Sequence, residues 1–173
     1  TVNFYLGILS GLQGMVEQNI LLGELRGDLV APTEYVSDSV SAIANFTNLE
    51  DGENQLLNRA AYYKVINQCN YYLAKVDSMA MKNNSYFMRR ELAQVELVRA
   101  WTYMQLVLAY GEVPFYTTPL LTTADITDFM KDCPKANASN LADLLGPDLK
   151  NMEYVEKVYG YPQYETYGRT TTV

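Results

Sequence analysis

Residues 98–114 read VRAWTYMQLVLAYGEVP, and this stretch decides the fold. It belongs to a longer segment, 85–110, in which charged residues fill the first half while the second half is apolar on almost every side. We therefore predict one helix over 85–110 that enters the protein interior midway and has neighbours on several faces there. Gly111 is placed to adopt the left-handed conformation that ends many helices, and Pro114 prevents the helix from continuing.

A second helix is predicted just upstream, at residues 56–77. Its apolar residues recur at steps of three and four, which places them on one face. The turn signal Lys82-Asn83-Asn84-Ser85 follows, so we predict a short connection at 78–84 and an antiparallel helical hairpin. The predicted apolar stripe comprises Tyr62, Val65, Ile66, Cys69, Leu73 and Val76, and the predicted polar positions are Lys64, Asn67, Asn70 and Lys75.

The first helix is predicted over residues 2–22. Gly7 and Gly11 form a GxxxG motif, a pattern that also occurs at dimer faces of membrane helices. Because Gln and Glu residues stand nearby, we interpret the motif as close packing against a neighbouring helix. The predicted apolar face comprises Tyr5, Ile8, Leu12, Met15 and Leu22.

The remaining segments complete a mainly α prediction. We expect a short helix near 35–45, a polar loop at 45–55, and a last helix near 139–158, for which Pro147 suits a first-turn position. Residues 112–136 are rich in Thr and Pro and predict an extended crossing. No segment predicts a strand-rich domain, so the predicted fold is one domain of helical hairpins with long irregular loops.

Composition and charge limit the classes of function. The 173 residues carry a formal net charge of −7, which argues against nucleic acid and anionic membrane surfaces as partners. There is no histidine, which is the commonest general base and zinc ligand, so we expect no cofactor and no metal. Cys69 and Cys133 form no CxxC pair; they are either one disulfide or free thiols, and the apolar position of Cys69 favours free thiols.

Three segments carry a resemblance to a known family. ELVRAWTYMQLVLAYGEVPFYTTPL resembles the hallmark of the SusD/RagB family of glycan-capturing surface lipoproteins of Bacteroidetes. NRAAYYKVINQCNYYLAKVD looks like the preceding helix of that family, and ELRGDLVAP is similar to the segment after its first helix. The hallmark residues are Arg99, Ala100, Tyr103, Leu106, Tyr110, Gly111, Val113 and Pro114.

The resemblance implies a fold, a function and a location. The fold would be SusD-like, built on tetratricopeptide-like hairpins, with residues 1–173 as the N-terminal helical portion of a longer chain. The function would be non-enzymatic capture of oligosaccharides for a TonB-dependent, SusC-like outer-membrane transporter. The protein would lie on the outer surface of the outer membrane, held by a lipid anchor outside this chain.

Carbohydrate binding is expected in the loops between the first two long helices. Sugars stack their C–H faces on aromatic rings and pair their hydroxyls with polar side chains. The resemblance places part of the ligand site in the stretch 26–57. The candidate carbohydrate-binding residues there are Arg26, Tyr35, Asn48 and Asn54. Aromatic residues of the long helices are expected to pack in the hairpin instead, whereas the tyrosines between 154 and 167 are better placed for exposure.

Two other classes of function stay open. A tetratricopeptide-type scaffold that binds protein segments requires only the helical hairpin, although no regular 34-residue spacing recurs. A small helical glycosidase would need a pair of carboxylates, for which Glu50, Asp51 and Glu53 are the candidates. We interpret that acidic cluster as a solvated turn.

Overall fold

The computed structural model describes residues 2–27, 29–47, 52, 54–83, 89–147 and 149, and it confirms the predicted mainly α fold. A further helical segment occupies residues 141–147. The elements in chain order are α1 (Val2–Glu24), α2 (Asp38–Ala44), a short 3-10 helix (Gln55–Leu57), α3 (Ala60–Asn83), α4 (Arg89–Tyr110), β1 (Val113–Pro114), α5 (Thr123–Asp132) and β2 (Lys135–Ala136).

α3 and α4 pack against each other as the predicted antiparallel hairpin. Near the start of α3, the ring of Tyr62 meets the ring of Tyr110 edge-on, with centroids 5.9 Å apart. Further along α3, Asn70 Oδ1 accepts a hydrogen bond of 2.8 Å from Arg99 Nη1. Later residues of α3 therefore contact earlier residues of α4, which shows that the two helices run in opposite directions.

α1 packs across this hairpin and contacts both of its helices. Ile8 lies in one buried cluster with Val65 and Cys69, and Met15 lies in another with Leu106. The predicted apolar faces are confirmed, because each of their residues on α1 and α3 is buried or half-buried. Burial of these two stripes is the main source of stability in the described part of the chain.

The GxxxG motif of α1 is used for close packing at one of its two glycines. A Cβ on Gly11 would stand 2.8 Å from Gln68 Oε1 and 3.4 Å from Val65 Cγ2, both on α3. A Cβ added to Gly7 would meet no atom of another element within 4 Å, so the packing interpretation is wrong for Gly7. Among the described residues, no helix is both long enough and apolar enough to cross a membrane.

Residues 114–120, here called the crossing segment, run over the hairpin and are held by side chains. Asn67 Nδ2 donates to the carbonyl of Leu120 at 2.8 Å, and the N–H of Leu120 donates to Asn67 Oδ1 at 2.8 Å. Asn70 Nδ2 donates to the carbonyl of Tyr116 at 3.2 Å. Asn67 and Asn70, predicted as polar positions outside the buried stripe, are thus half-buried and fully buried beneath the crossing segment.

Tyr103 gives the crossing segment a second attachment. Its hydroxyl donates to the carbonyl of Tyr116 at 2.7 Å and accepts from the N–H of the same residue at 2.9 Å. Burial raises the pKa of Tyr103, so the phenol stays protonated and remains a donor. The aromatic residues expected in the hairpin are confirmed there: Tyr62, Tyr72 and Tyr103 are buried, and Tyr63, Tyr71 and Trp101 are half-buried.

The end of α4 follows its sequence signals. Gly111 has φ 74°, and its N–H donates to the carbonyl of Val107 at 2.9 Å, which closes the helix as predicted. Pro114 then lies in β1, opposite Lys135 of β2. The prediction of neighbours on several faces holds for the buried Leu106 but is wrong for Leu108, which is 72% exposed on a side that no described residue covers.

Residues 112–136 are extended only in their first half. The predicted extended crossing is wrong from Thr123 onward, where α5 begins. Thr122 Oγ1 accepts from the N–H of Asp125 at 3.2 Å, and the carboxylate of Asp125 accepts from the N–H of Thr122 at 2.8 Å. This capping box starts a helix where the Thr and Pro content of the region had predicted an extended chain.

Two further helix boundaries differ from the prediction. α3 begins at Ala60, whose N–H donates to Asn58 Oδ1 at 2.8 Å, and it continues to Asn83, so the connection predicted at 78–84 is helical through residue 83. The last helix has already formed by residue 141, and the predicted start at Pro147 is wrong. Asn137 Oδ1 caps it by accepting from the N–H of Ser139 at 3.0 Å.

Both cysteines are free thiols in the structure. Cys69 is buried among apolar side chains, and Cys133 is half-buried at the end of α5. Burial raises the pKa of Cys69 to about 12, so it stays a neutral thiol at physiological pH. The free-thiol alternative is thus the one that the structure supports.

The two glycines of the motif provide a matched test of α1 packing. Gly7→Ala should raise the free energy of unfolding by about 0.5–1 kcal/mol, because alanine favours the helix and meets no neighbour. Gly11→Ala should not raise the free energy of unfolding, because the added methyl group would have to displace the side chain of Gln68. Urea unfolding of both variants measures the difference, and equal gains would contradict the packing of Gly11 on α3.

Candidate functional site

The loops between α1 and α3 close one end of the hairpin, and Arg26 holds them there. Its Nη1 donates to the carbonyl of Ala109 at 2.8 Å, next to the last residue of α4. A cation at this position satisfies a carbonyl that has no partner in the helix and interacts favourably with the helix dipole. Arg26, predicted to bind carbohydrate, therefore connects the end of α1 to the end of α4.

Gln18 joins three segments at the same end. Its Nε2 donates to the carbonyls of Leu56 and Asn58, both at 2.7 Å, and to the hydroxyl of Tyr110 at 3.3 Å. The guanidinium of Arg59 lies over the Tyr110 ring, 4.7 Å from its centroid. Burial raises the pKa of Tyr110, so this ring is neutral and its π face attracts the cation.

Asn54, the second predicted binding residue, fixes the loop backbone. Its Oδ1 accepts from the N–H of Leu56 at 3.0 Å and so caps the 3-10 helix. Its Nδ2 donates to the carbonyl of Ser39 at 2.9 Å, which ties the 3-10 helix to α2. Both ends of the amide are engaged, so Asn54 positions the loop whether or not it also contacts a sugar.

Of the other two predicted binding residues, the structure describes Tyr35 but not Asn48. Tyr35 is 88% exposed, just before α2, with its ring open to a ligand. Asn48 lies outside the described residues. The acidic residues considered for a glycosidase, Glu50, Asp51 and Glu53, and the tyrosines between 154 and 167 also lie outside them.

Phe46 is an exposed aromatic residue that the sequence interpretation missed. It follows α2 directly, is 60% exposed, and has φ 53°. A bulky residue in the left-handed region is uncommon, and here it occupies the position after the C-cap at which many helices end. Backbone hydrogen bonds hold it in place, since the N–H of Phe46 donates to Ile43 at 3.3 Å and that of Thr47 to Ala42 at 2.9 Å.

α2 lies between these two aromatic residues. The helix has seven residues, which corresponds to a length of about 10 Å. Its Ile43 is buried with Leu22 and Leu25 at the end of α1, so α2 is anchored to the hairpin end. Tyr35 lies three residues before α2 and Phe46 two residues after it, so these two rings, here called the aromatic pair, flank one short anchored helix.

A second surface feature, here called the groove, is a shallow, open depression of about 620 Å³ whose lining residues all belong to α1. It is lined mainly by apolar side chains, among them Leu9, Val16 and Ile20, with Gln13 and Glu17. Ile20 is 53% exposed. Exposed apolar surface of this kind is typical of an interaction surface.

The described residues contain no group of three His, Cys, Asp or Glu side chains close enough to hold a metal ion. Comparisons with protein-family models, with curated proteins and with solved structures gave no match to this chain.

Substitution of Asn54 separates its two structural contacts. Asn54→Ala should lower the free energy of unfolding by about 1–2 kcal/mol, because both the cap and the tie to Ser39 are lost. Asn54→Ser should cost less, since serine retains a capping oxygen but is too short to reach Ser39. Thermal or urea unfolding measures both losses.

Asn45→Ala is the matched control for this pair of variants. Its side chain bonds only to Ser41 within α2, at an exposed position, so the loss should stay below about 0.5 kcal/mol. A loss at Asn54→Ala no larger than that of the control would show that the loop does not depend on Asn54.

Proposed function

We propose that this chain is part of a non-catalytic glycan-binding protein and that a sugar chain binds across the aromatic pair. The observation that carries the proposal is the exposure of Tyr35 and Phe46, which contrasts with the buried or half-buried tyrosines of the hairpin. Exposed rings offer faces on which the C–H groups of pyranose sugars stack. Packing of the hairpin does not explain why these two rings are exposed, whereas sugar binding does.

The backbone of Phe46 gives the proposal further support. Glycine would adopt φ 53° without strain, yet a large aromatic residue occupies the position. The left-handed conformation ends α2, a position that glycine usually takes, so the helix end itself does not require an aromatic residue there. An aromatic ring held out into solvent at this position fits a recognition role.

The cellular setting is part of the same proposal. The order of segments around Arg26, the α3 helix and the Tyr110-Gly111-Glu112-Val113-Pro114 turn resembles the SusD/RagB family. On that basis the chain belongs to a lipid-anchored protein on the outer surface of the outer membrane. It passes oligosaccharides to a TonB-dependent transporter, and the chain itself catalyses no reaction.

Variants of the aromatic pair test sugar binding directly. Tyr35→Ala and Phe46→Gly should each weaken binding about tenfold, because each removes one stacking face. Phe46→Gly should keep the free energy of unfolding within about 1 kcal/mol of the parent, since glycine accepts the positive φ. Isothermal titration calorimetry against soluble glucan, mannan, xylan and galactan oligosaccharides measures the affinities.

Leu121→Ala is the control for these variants, because Leu121 is 60% exposed on a different surface, beyond the crossing segment. It should leave the affinity unchanged. A double variant at Tyr35 and Phe46 that binds as tightly as the parent would place the sugar elsewhere, and a parent that binds no glycan of the panel would overturn the proposal.

A second candidate function is binding of protein segments, as a tetratricopeptide-type scaffold. The groove along α1 favours it, because exposed apolar surface on a helix can pack against the apolar face of an amphipathic partner helix. In this case the groove, and not the aromatic pair, would carry the activity.

Selection from a displayed library of amphipathic peptides distinguishes the two functions. If the scaffold function is correct, the parent should enrich peptides with apolar residues at three- and four-residue spacing. Ile20→Glu should weaken their binding at least about tenfold, because it places a charge in the apolar groove. Leu29→Glu, at a loop position that is 84% exposed, is the control, and absence of enrichment would argue against the scaffold.

A further inference from the structure

We infer that the aromatic pair selects neutral glycans and rejects polyanionic ones such as uronate-rich or sulfated polysaccharides. This inference rests on the proposed function, because it specifies the ligand class of the same surface. It follows from the charge of the loops that carry the two rings and from the contacts of the arginines at either end of those loops.

The loops that carry the aromatic pair have charges of one sign only. Between residues 27 and 58 there is no Lys or Arg, and every charged side chain is acidic. Glu34 directly precedes Tyr35, and Asp38 lies in the first turn of α2; both are exposed. The acidic residues of this stretch are Asp28, Glu34, Asp38, Glu50, Asp51 and Glu53.

The arginines at the two borders of this stretch are turned toward α4. Arg26 donates to the carbonyl of Ala109 at 2.8 Å. Arg59 lies over the ring of Tyr110 with its guanidinium 4.7 Å from the centroid. Recognition of a carboxylate or sulfate normally uses an arginine or lysine aimed at the ligand, and here both nearby guanidinium groups have another contact.

A neutral sugar meets no such conflict. Its hydroxyls donate to carboxylates such as that of Glu34, while its C–H faces stack on the rings of the aromatic pair. A polyanion would bring repeated negative charges within the Debye length, about 8 Å at physiological ionic strength, of Glu34 and Asp38. The repulsion should therefore fall as the salt concentration rises, whereas stacking should be nearly unaffected.

The test compares each neutral glycan with its own charged derivative. The 173-residue chain is titrated with soluble glucan, mannan, xylan and galactan, and with the carboxymethyl derivative of each, which keeps the backbone and adds charge. We expect a neutral glycan to bind and its carboxymethyl derivative to bind at least about tenfold more weakly at about 0.15 M salt. The difference should shrink at about 1 M salt.

The outcomes separate this inference from the proposed function. A carboxymethyl derivative that binds as tightly as its neutral parent, or more tightly, would overturn the selectivity and leave glycan binding in place. Binding of no glycan, neutral or charged, would overturn both. A preference for the neutral member that does not change with salt would also overturn the inference, because charge would not be its cause.

A charge variant locates the source of the selectivity. Glu34→Gln should narrow the gap between the neutral glycan and its carboxymethyl derivative by about twofold or more, since one facing charge is removed. Asp143→Asn, which removes an exposed charge outside the loops, should leave the gap unchanged. Equal effects of the two variants would show that net charge, and not the charge of this surface, sets the preference.

Discussion

The structure depends on how the backbone N–H and C=O groups of the crossing segment find hydrogen-bond partners. Residues 114–120 run over the hairpin with β2 as their strand partner only at the first position, and an unpaired buried peptide group is costly. Asn67, Asn70 and Tyr103 supply the missing partners from the two helices. Arg99 in turn orients Asn70 by donating to its Oδ1 at 2.8 Å. A hairpin that was apolar on this face would leave the backbone groups of Tyr116 and Leu120 without these partners, so the polar residues specify where the chain runs after α4.

Much of this arrangement could be predicted from the sequence, because helical periodicity is a local signal. The apolar faces of α1 and α3 and the glycine that ends α4 were predicted correctly from spacing alone. The roles of Asn67 and Asn70 were not, since their partners are backbone atoms of a segment about 50 residues downstream, and nothing local distinguishes a buried asparagine from a solvated one. A signal was nevertheless present, because the two asparagines share a helix face three residues apart. α5 was missed for another reason: the capping box at Thr122 lay within a composition typical of loops.

The candidate site was harder to predict because the same residue types suit ligand binding and loop structure. Arg26 and Asn54 were chosen for their hydrogen-bonding groups, and the structure shows those groups engaged with Ala109, Leu56 and Ser39. Tyr35 was chosen for its ring, which is open to solvent. Phe46 was missed because exposure and a positive φ are consequences of how α2 ends, which the sequence does not display.

α2 contributes a single fully buried residue, Ile43, to the body of the protein. The exposed positions of this short helix and of its flanking turns can therefore vary without disturbing the packing of α1, α3 and α4. Substitutions can thus change the exposed rings and charges of α2 and its flanking turns while the hairpin of α3 and α4 stays unchanged. Under the proposed function, chains with this fold would differ in the glycan that they bind while keeping the same packed helices.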